Sequence, residues 1–338
     1  MRRSFAIALL VVAVTGTRLE AEEGRIPIFA QTVISRPGYY ILTRDIAATS
    51  GVVVIINSDG ATLDLNGHTI SSLSTFNNVV EVYASVRDAT IRNGRISGGF
   101  TGVTYYSGGP ERARLRLESL DVTDPISDGI YAYGVEDMEV RSCHITANSA
   151  QTGGVEIYGG SDSFSGRFVN NVVETHGQFG MYLYGLVGGE VRGNRIAFVT
   201  GATGAGLELN GTLGTPHGGN LVESNVIIGG VNAGIRLCAD CDSNVIVNNV
   251  IGGNGSGILA SSGGNRIAEN MVAGNGGAGI LVSGSRNLIE GNQVKDNAGC
   301  GISFTGGGVE NAYRNNMVRG NGAAVCGTAT DGGGNITP

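Results

Sequence analysis

The chain is predicted to be all-β, a single-stranded parallel solenoid of about eleven coils with three short parallel sheets. Three observations support this: a motif that recurs eleven times, a second anchor after each copy, and short β-branched segments broken by Gly and Asn. The motif is an apolar residue, two spacers, a small or polar residue, one spacer, then Ile or Val. Its clearest copies are Ile267-x-x-Asn270-x-Val272, Ile289-x-x-Asn292-x-Val294 and Tyr313-x-x-Asn316-x-Val318. The same frame puts His68, Gly94, Leu120, Cys143, Asn171, Asn194, Asn225 and Asn249 at the middle position. From His68 to Asn316 the spacing averages about 25 residues, a β-coil length and not a helical-repeat length.

Residues 1–21 start with Arg2-Arg3, continue through apolar Phe5 to Val14 and end in small residues. This is the layout of a secretory signal peptide, cut between Gly16 and Ala21. Residues 22–48 are expected to cap the N-terminal end, because an open stack of strands must be covered against edge pairing. Residues 49–326 carry the coils. Each coil holds three extended segments too short and too β-branched for helices, with Gly or Asn at the corners supplying left-handed backbone. Stacked in register, these segments make three parallel sheets around an apolar interior. Asn254, Asn275, Asn297 and Asn321 form a second column, and both Asn columns are read as satisfying turn backbone and one another. Residues 327–338 read as a short polar tail.

Among 338 residues, 58 Gly, six Pro and no Trp fit one elongated domain. The leader implies a secreted or periplasmic protein, and no later apolar run is long enough for membrane insertion. The formal charge is -7, and Lys295 is the only lysine, which makes nucleic acid and anionic membrane surfaces poor partners. Cys238-x-x-Cys241 is read as a turn disulfide in preference to half of a metal site, since no second ligand pair stands in sequence. Cys300 and Cys326 sit near equivalent points of the last coils and are candidates to staple them, while Cys143 is expected as a buried thiol. No metal or other cofactor is expected. Asp121, Asp124 and Asp128 could gather around calcium, but the calcium-binding nonapeptide repeat is absent. Oligomeric state is left open.

The second anchor is Gly followed by an apolar residue, as in Gly129-Ile130, Gly154-Val155, Gly180-Met181 and Gly206-Leu207. Side chains alternate beyond it, so residues one and three places after the apolar anchor face solvent on adjacent coils. Starting from Val80, the third-place column reads Tyr83, Tyr106, Tyr133, Tyr158, Tyr184, Asn210, Cys238, Ser261, Ser283 and Thr305. The first-place column reads Glu81, Thr104, Tyr131, Glu156, Tyr182, Glu208, Arg236, Leu259, Leu281 and Ser303. Aromatic stacking between rungs could alone explain the tyrosines, at roughly 0.2–1 kcal/mol per pair. An aromatic strip flanked by acids also suits a glycan, because sugar faces pack on rings while acids bind hydroxyls. Confinement to one half of the chain favours the second reading. Longer connections there are expected to bring Arg112, Arg114, Asp162, Phe164, Arg167 and His217 beside the strip.

Glu156 and Glu208 stand two rungs apart, about 9.6 Å by strand spacing, at the edge of the roughly 6.5–9.5 Å that an inverting glycosidase needs. They are the candidate catalytic pair, and Arg236 is a candidate for a carboxylated sugar. Arg95, Asp121 and His144 share another outward column, where solvated charge is the plainer explanation.

The repeat, the entry segment Gly38-Tyr39-Tyr40-Ile41-Leu42-Thr43-Arg44-Asp45-Ile46 and the stretch Leu63-Asp64-Leu65-Asn66-Gly67-His68-Thr69-Ile70 resemble the right-handed parallel β-helix family of the pectin-lyase-like fold. Its repeat-rich members include those grouped with NosD-type periplasmic proteins. The resemblance spans about residues 39–330 and implies right-handed winding. It does not imply one activity, because the fold hosts several. The chain lacks a paired Asp-Asp with Gly-His-Gly and Arg-x-Lys, as in polygalacturonase-like hydrolases, and also lacks the pectate-lyase arginine motif. Thr215-Pro216-His217 only partly echoes the Asp-Pro-His of mannuronan epimerases. His68 falls in the Asn-turn column, so copper chemistry is not implied. The expected function is binding of a polysaccharide or cell-surface glycan on Tyr83, Tyr106, Tyr131, Tyr133, Tyr158, Tyr182, Tyr184 and Arg236. The alternatives are a polysaccharide hydrolase or lyase using Glu156 and Glu208, and a structural or adhesive scaffold.

Overall fold

The computed structural model describes residues 24–107, 113–147, 153–160, 163–198, 204–215, 217–230 and 232–337; the expected leader, Arg112 and Asp162 lie outside these. Almost all regular structure is strand. Strands pair in parallel with their counterparts on neighbouring turns, on both sides except at the two ends, and three sheets result. The first runs from Thr32–Ile34 to Ala323–Cys326. The second runs from Arg25–Ile28 to Thr330–Asp331. The third runs from Ile46–Ala48 to Met317–Arg319. The winding makes about twelve turns. Residues 25–48, expected as a cap, supply strands to all three sheets. The C-terminal residues also pair: Thr330–Asp331 joins Ala312–Tyr313, and Asn335 accepts from the backbone and side chain of Asn316.

Alternation places one apolar column of each sheet in a shared core. On the third sheet, Val173, Ile196, Ile227, Ile251, Val272, Val294 and Val318 stack fully buried. Each such side chain contributes roughly 1.5–3 kcal/mol by leaving water. The anchor glycines exist for this packing and not for a left-handed backbone. A Cβ at Gly180 would lie 2.2 Å from Ile196 Cγ2, and one at Gly206 would lie 2.3 Å from Ile227 Cγ2. The left-handed residue instead precedes the middle residue of each motif, as at Asn170, Ser224, Asn248, Glu269 and Asn315, all with φ near +56°.

Buried amides hold the turns in register. Asn171, Asn194, Asn225, Asn249, Asn270, Asn292 and Asn316 form one ladder at the corner between the second and third sheets. Asn249 is typical: its Oδ1 accepts from Asn225, and its Nδ2 donates to Asn270 Oδ1 and to the carbonyls of Val222 and Val247. Asn254, Asn275, Asn297 and Asn321 form the second expected ladder. A third ladder, Asn220, Asn244, Asn265, Asn287 and Asn311, occupies the corner between the first and second sheets. Cys238–Cys241 and Cys300–Cys326 are disulfide-bonded, and Cys143 is a buried thiol pushed up to about 11 by desolvation. Among the described residues no helix is long and apolar enough to cross a membrane.

Asn249→Ala strands several buried donors and acceptors and should cost about 3 kcal/mol or more, at about 1–3 kcal/mol per orphaned group. Asn321→Ala, at the half-exposed end of its ladder, should cost about 1 kcal/mol, since water replaces what is lost. Guanidinium denaturation of both variants against wild type measures the difference.

Candidate functional site

The outer face of the first sheet presents the tyrosines in one block. Cross-strand pairing aligns Glu81, Thr104, Tyr131, Glu156, Tyr182, Glu208 and Arg236 in one column. Tyr106, Tyr133, Tyr158, Tyr184 and Asn210 align beside it, and Tyr83 stands one turn before Tyr106. Tyr106 and Tyr133 stack with centroids 5.1 Å apart and planes at 20°. The series continues through Tyr133–Tyr158 at 5.7 Å and Tyr158–Tyr184 at 5.5 Å. Tyr158 also meets Tyr131 at 6.0 Å and Tyr182 at 5.6 Å, and Phe179 packs on Tyr182 at 4.8 Å. Tyr106 is 58% exposed, and Tyr83 and Tyr133 are 38% exposed, so ring area remains open after stacking.

The floor has a hollow towards each end. One of about 540 Å³ is lined by Glu81, Tyr83, Thr104 and Tyr106. Another of about 320 Å³ lies among Glu208, Asn210, Leu213, Arg236, Cys238 and Asp240.

Glu156 accepts a 2.5 Å hydrogen bond from the Tyr158 hydroxyl. Its other close partner is Asp128, which faces this carboxylate and, among the described residues, no calcium-sized cluster of acids. Asp128 ends the corner before Gly129 and is buried at 4% exposure. Its Oδ1 accepts from Gly153 N–H at 2.8 Å and its Oδ2 from the Ser127 hydroxyl at 2.9 Å. Burial, with the Glu156 charge and hydrogen bond, outweighs these two donors and pushes its carboxyl up to about 7. A buried carboxyl beside a second carboxylate ionises less readily, so Asp128 holds its proton to higher pH than an ordinary aspartate. Burial and the Glu156 charge push Tyr131 up to about 12, and burial with Glu208 does the same for Tyr182. Tyr158 is raised by burial and by its bond to Glu156. These phenols therefore stay neutral donors.

Glu208 is 3% exposed. Its Oε1 accepts from Asn210 Nδ2 at 2.9 Å and its Oε2 faces Arg236 at 3.4 Å. Burial raises its carboxyl despite Arg236 and Asn210, which act the other way. Tyr182 occupies the rung between Glu156 and Glu208.

The expected groove walls differ. Phe164 is buried edge-on against Phe168, and His217 is buried with its Nε2 accepting from Thr212 N–H. Arg114 and Arg167 belong to the second sheet, because the strand Ile130–Arg141 runs straight through the corner after Tyr133. Arg167 is engaged there by Glu190. Arg95, Asp121 and His144 do meet, at 2.6 Å and 3.0 Å, on the solvated third sheet. Among the described residues no group of three acids, histidines or cysteines could hold a metal ion.

A family model described as right handed beta helix region matches residues 48–214, 128–287 and 253–337. The chain belongs to the right handed beta helix family. This right-handed β-helix shares its fold with the A-module of a mannuronan C-5 epimerase from Azotobacter vinelandii, at TM-score 0.73 and 17% identity over 89% of this chain and 91% of that one. It is also similar to a periplasmic alginate epimerase, at TM-score 0.57 and 13% identity over 94% and 79%. The Dettilon tailspike protein matches at TM-score 0.57 and 16% identity over 85% and 61%. No curated protein matches the chain.

Asp128 gives the β-helix a signed pH dependence. Its folded-state pKa lies above the ordinary 3.8, so the unfolded chain releases this proton first. Stability from this group is therefore full below about pH 4 and falls as pH rises to about 7, by at most about 4 kcal/mol. Asp128→Asn keeps the Gly153 bond without a titrating proton and should flatten that fall. Melting temperatures across pH 4–8 should show the variant gaining on wild type as pH rises.

Proposed function

We propose that this β-helix is an exported protein that binds an extended glycan along the tyrosine floor. The observation that carries the reading is the run of seven tyrosines on consecutive turns of one outer face, open over the first half and absent from the last turns. Stacking as a purely structural device would serve the C-terminal rungs equally, yet Leu259, Leu281 and Ser303 occupy them. Rings on successive turns offer apolar faces to successive sugars, and neutral phenols, Asn210 and the carboxylates offer partners for hydroxyls. Two of the proteins that share this fold are epimerases named for polysaccharides, mannuronan and alginate.

Binding fits the acids better than turnover. A hydrolytic pair must flank the scissile bond with room between the carboxyls. Glu156 instead lies against Asp128 and accepts from Tyr158, while Glu208 is buried against Asn210 and Arg236.

Titration calorimetry against a panel of neutral, acidic and amino oligosaccharides checks the reading. Tyr106→Ala/Tyr133→Ala should weaken binding at least tenfold, about 1.4 kcal/mol, while Leu259→Ala/Leu281→Ala should leave it as it was. New reducing ends or unsaturated uronates that disappear in Glu156→Gln would replace binding with catalysis. If no oligosaccharide binds, the scaffold reading takes its place.

A further inference from the structure

The charge of the floor restricts which glycan can lie on it. Glu81 and Glu156 project from the first-place column, with Asp128 against Glu156, and Glu208 is buried further along it. Arg236 is the one cation in that column, and Glu208 already faces it at 3.4 Å. Among the described residues no arginine or lysine forms an ion pair with Glu81, Asp128 or Glu156. On the other two sheets Arg95 is engaged by Asp121 and Arg116 by Asp88. The single lysine, Lys295, lies on the third sheet near the other end.

A polyuronate carries one carboxylate on every sugar. Laid along this face, it would meet fixed carboxylates and aromatic faces, both negative, and among the described residues the column's one guanidinium, Arg236, is already paired with Glu208. An ammonium group meets the opposite situation. Tyr131 and Tyr182 flank Glu156 on adjacent rungs, so a cation there contacts ring faces and a carboxylate together. The hollow at Glu81 repeats the combination with Tyr83 and Tyr106, and the Thr104 hydroxyl at its lining is buried without a partner.

Resting on the glycan reading above, we infer that the ligand is a polymer of amino sugars with free amines, whose ammonium groups seat between the tyrosine faces and Glu81 and Glu156. The ligand charge is thus opposite to that of the uronate polymers for which the epimerases of the same fold are named.

The test titrates the full chain with three oligomers of equal length: fully deacetylated glucosamine, N-acetylglucosamine and a uronate. The amino oligomer should bind at least tenfold more tightly than the acetylated one at low salt, and the margin should shrink as salt screens the charges. Glu81→Gln/Glu156→Gln, checked for folding by circular dichroism, should bring the two affinities within about threefold. Tyr106→Ala/Tyr133→Ala should lose the amino oligomer as well. If that variant retains it, the attraction is unspecific charge pairing and the inference fails. Equal or tighter binding of the acetylated or uronate oligomer overturns the inference but leaves the glycan reading standing. If none of the three binds while other glycans do, only the amine assignment fails; if nothing in the wider panel binds, both readings fall.

Discussion

Register is the constraint on which every other feature of this molecule depends. A parallel strand that slips by one residue turns its whole core column outward. Here a slip would also pull each Asn of a ladder away from the carbonyls and amides that its neighbours provide. The amides are buried, so the alternative to a correct bond is no bond at all, which is far more costly than the bond itself is favourable. The tyrosine columns inherit their alignment from this lock. Outward residues meet rung by rung only because inward and corner residues leave the backbone no other pairing.

The two halves meet the constraint differently. From Asn244 onwards each complete turn carries an Asn at every corner, and the coils are short and regular. Towards the N-terminus the corner positions hold His68, Gly94, Leu120 and Cys143, and the strands Asp88–Gly98, Ala113–Thr123 and Ile130–Arg141 run through corners without a break. Larger interior side chains such as Tyr105 and Phe168 fill that half. Continuous strands and bulky packing set the register there, and the outer face is free to carry rings and acids.

The fold was legible because a repeat reports its own geometry. Spacing alone located the motif, the anchor, the outward columns and two of the three amide ladders. The third was equally visible as an Asn five places before each motif Asn, at 220, 244, 265, 287 and 311, but it falls outside the motif frame. The reason for the anchor glycines was not legible, since it lies in a methyl group of the next sheet. Asp128 was hidden for a related cause. It stands in a corner just outside both columns, and only the turn of the backbone brings its carboxyl to Glu156. The wall residues failed because loop length does not reveal where a strand continues through a corner. Phe164 and His217 consequently went inward.

The bond between Cys300 and Cys326 has a mechanical meaning. In a stack that holds by nearest neighbours, the terminal units have one interface instead of two, and fraying starts there. This bond ties one of the last first-sheet strands to the one beneath it. One end of the rod is sewn shut, so unravelling is biased to advance from the opposite end, towards the tyrosine floor.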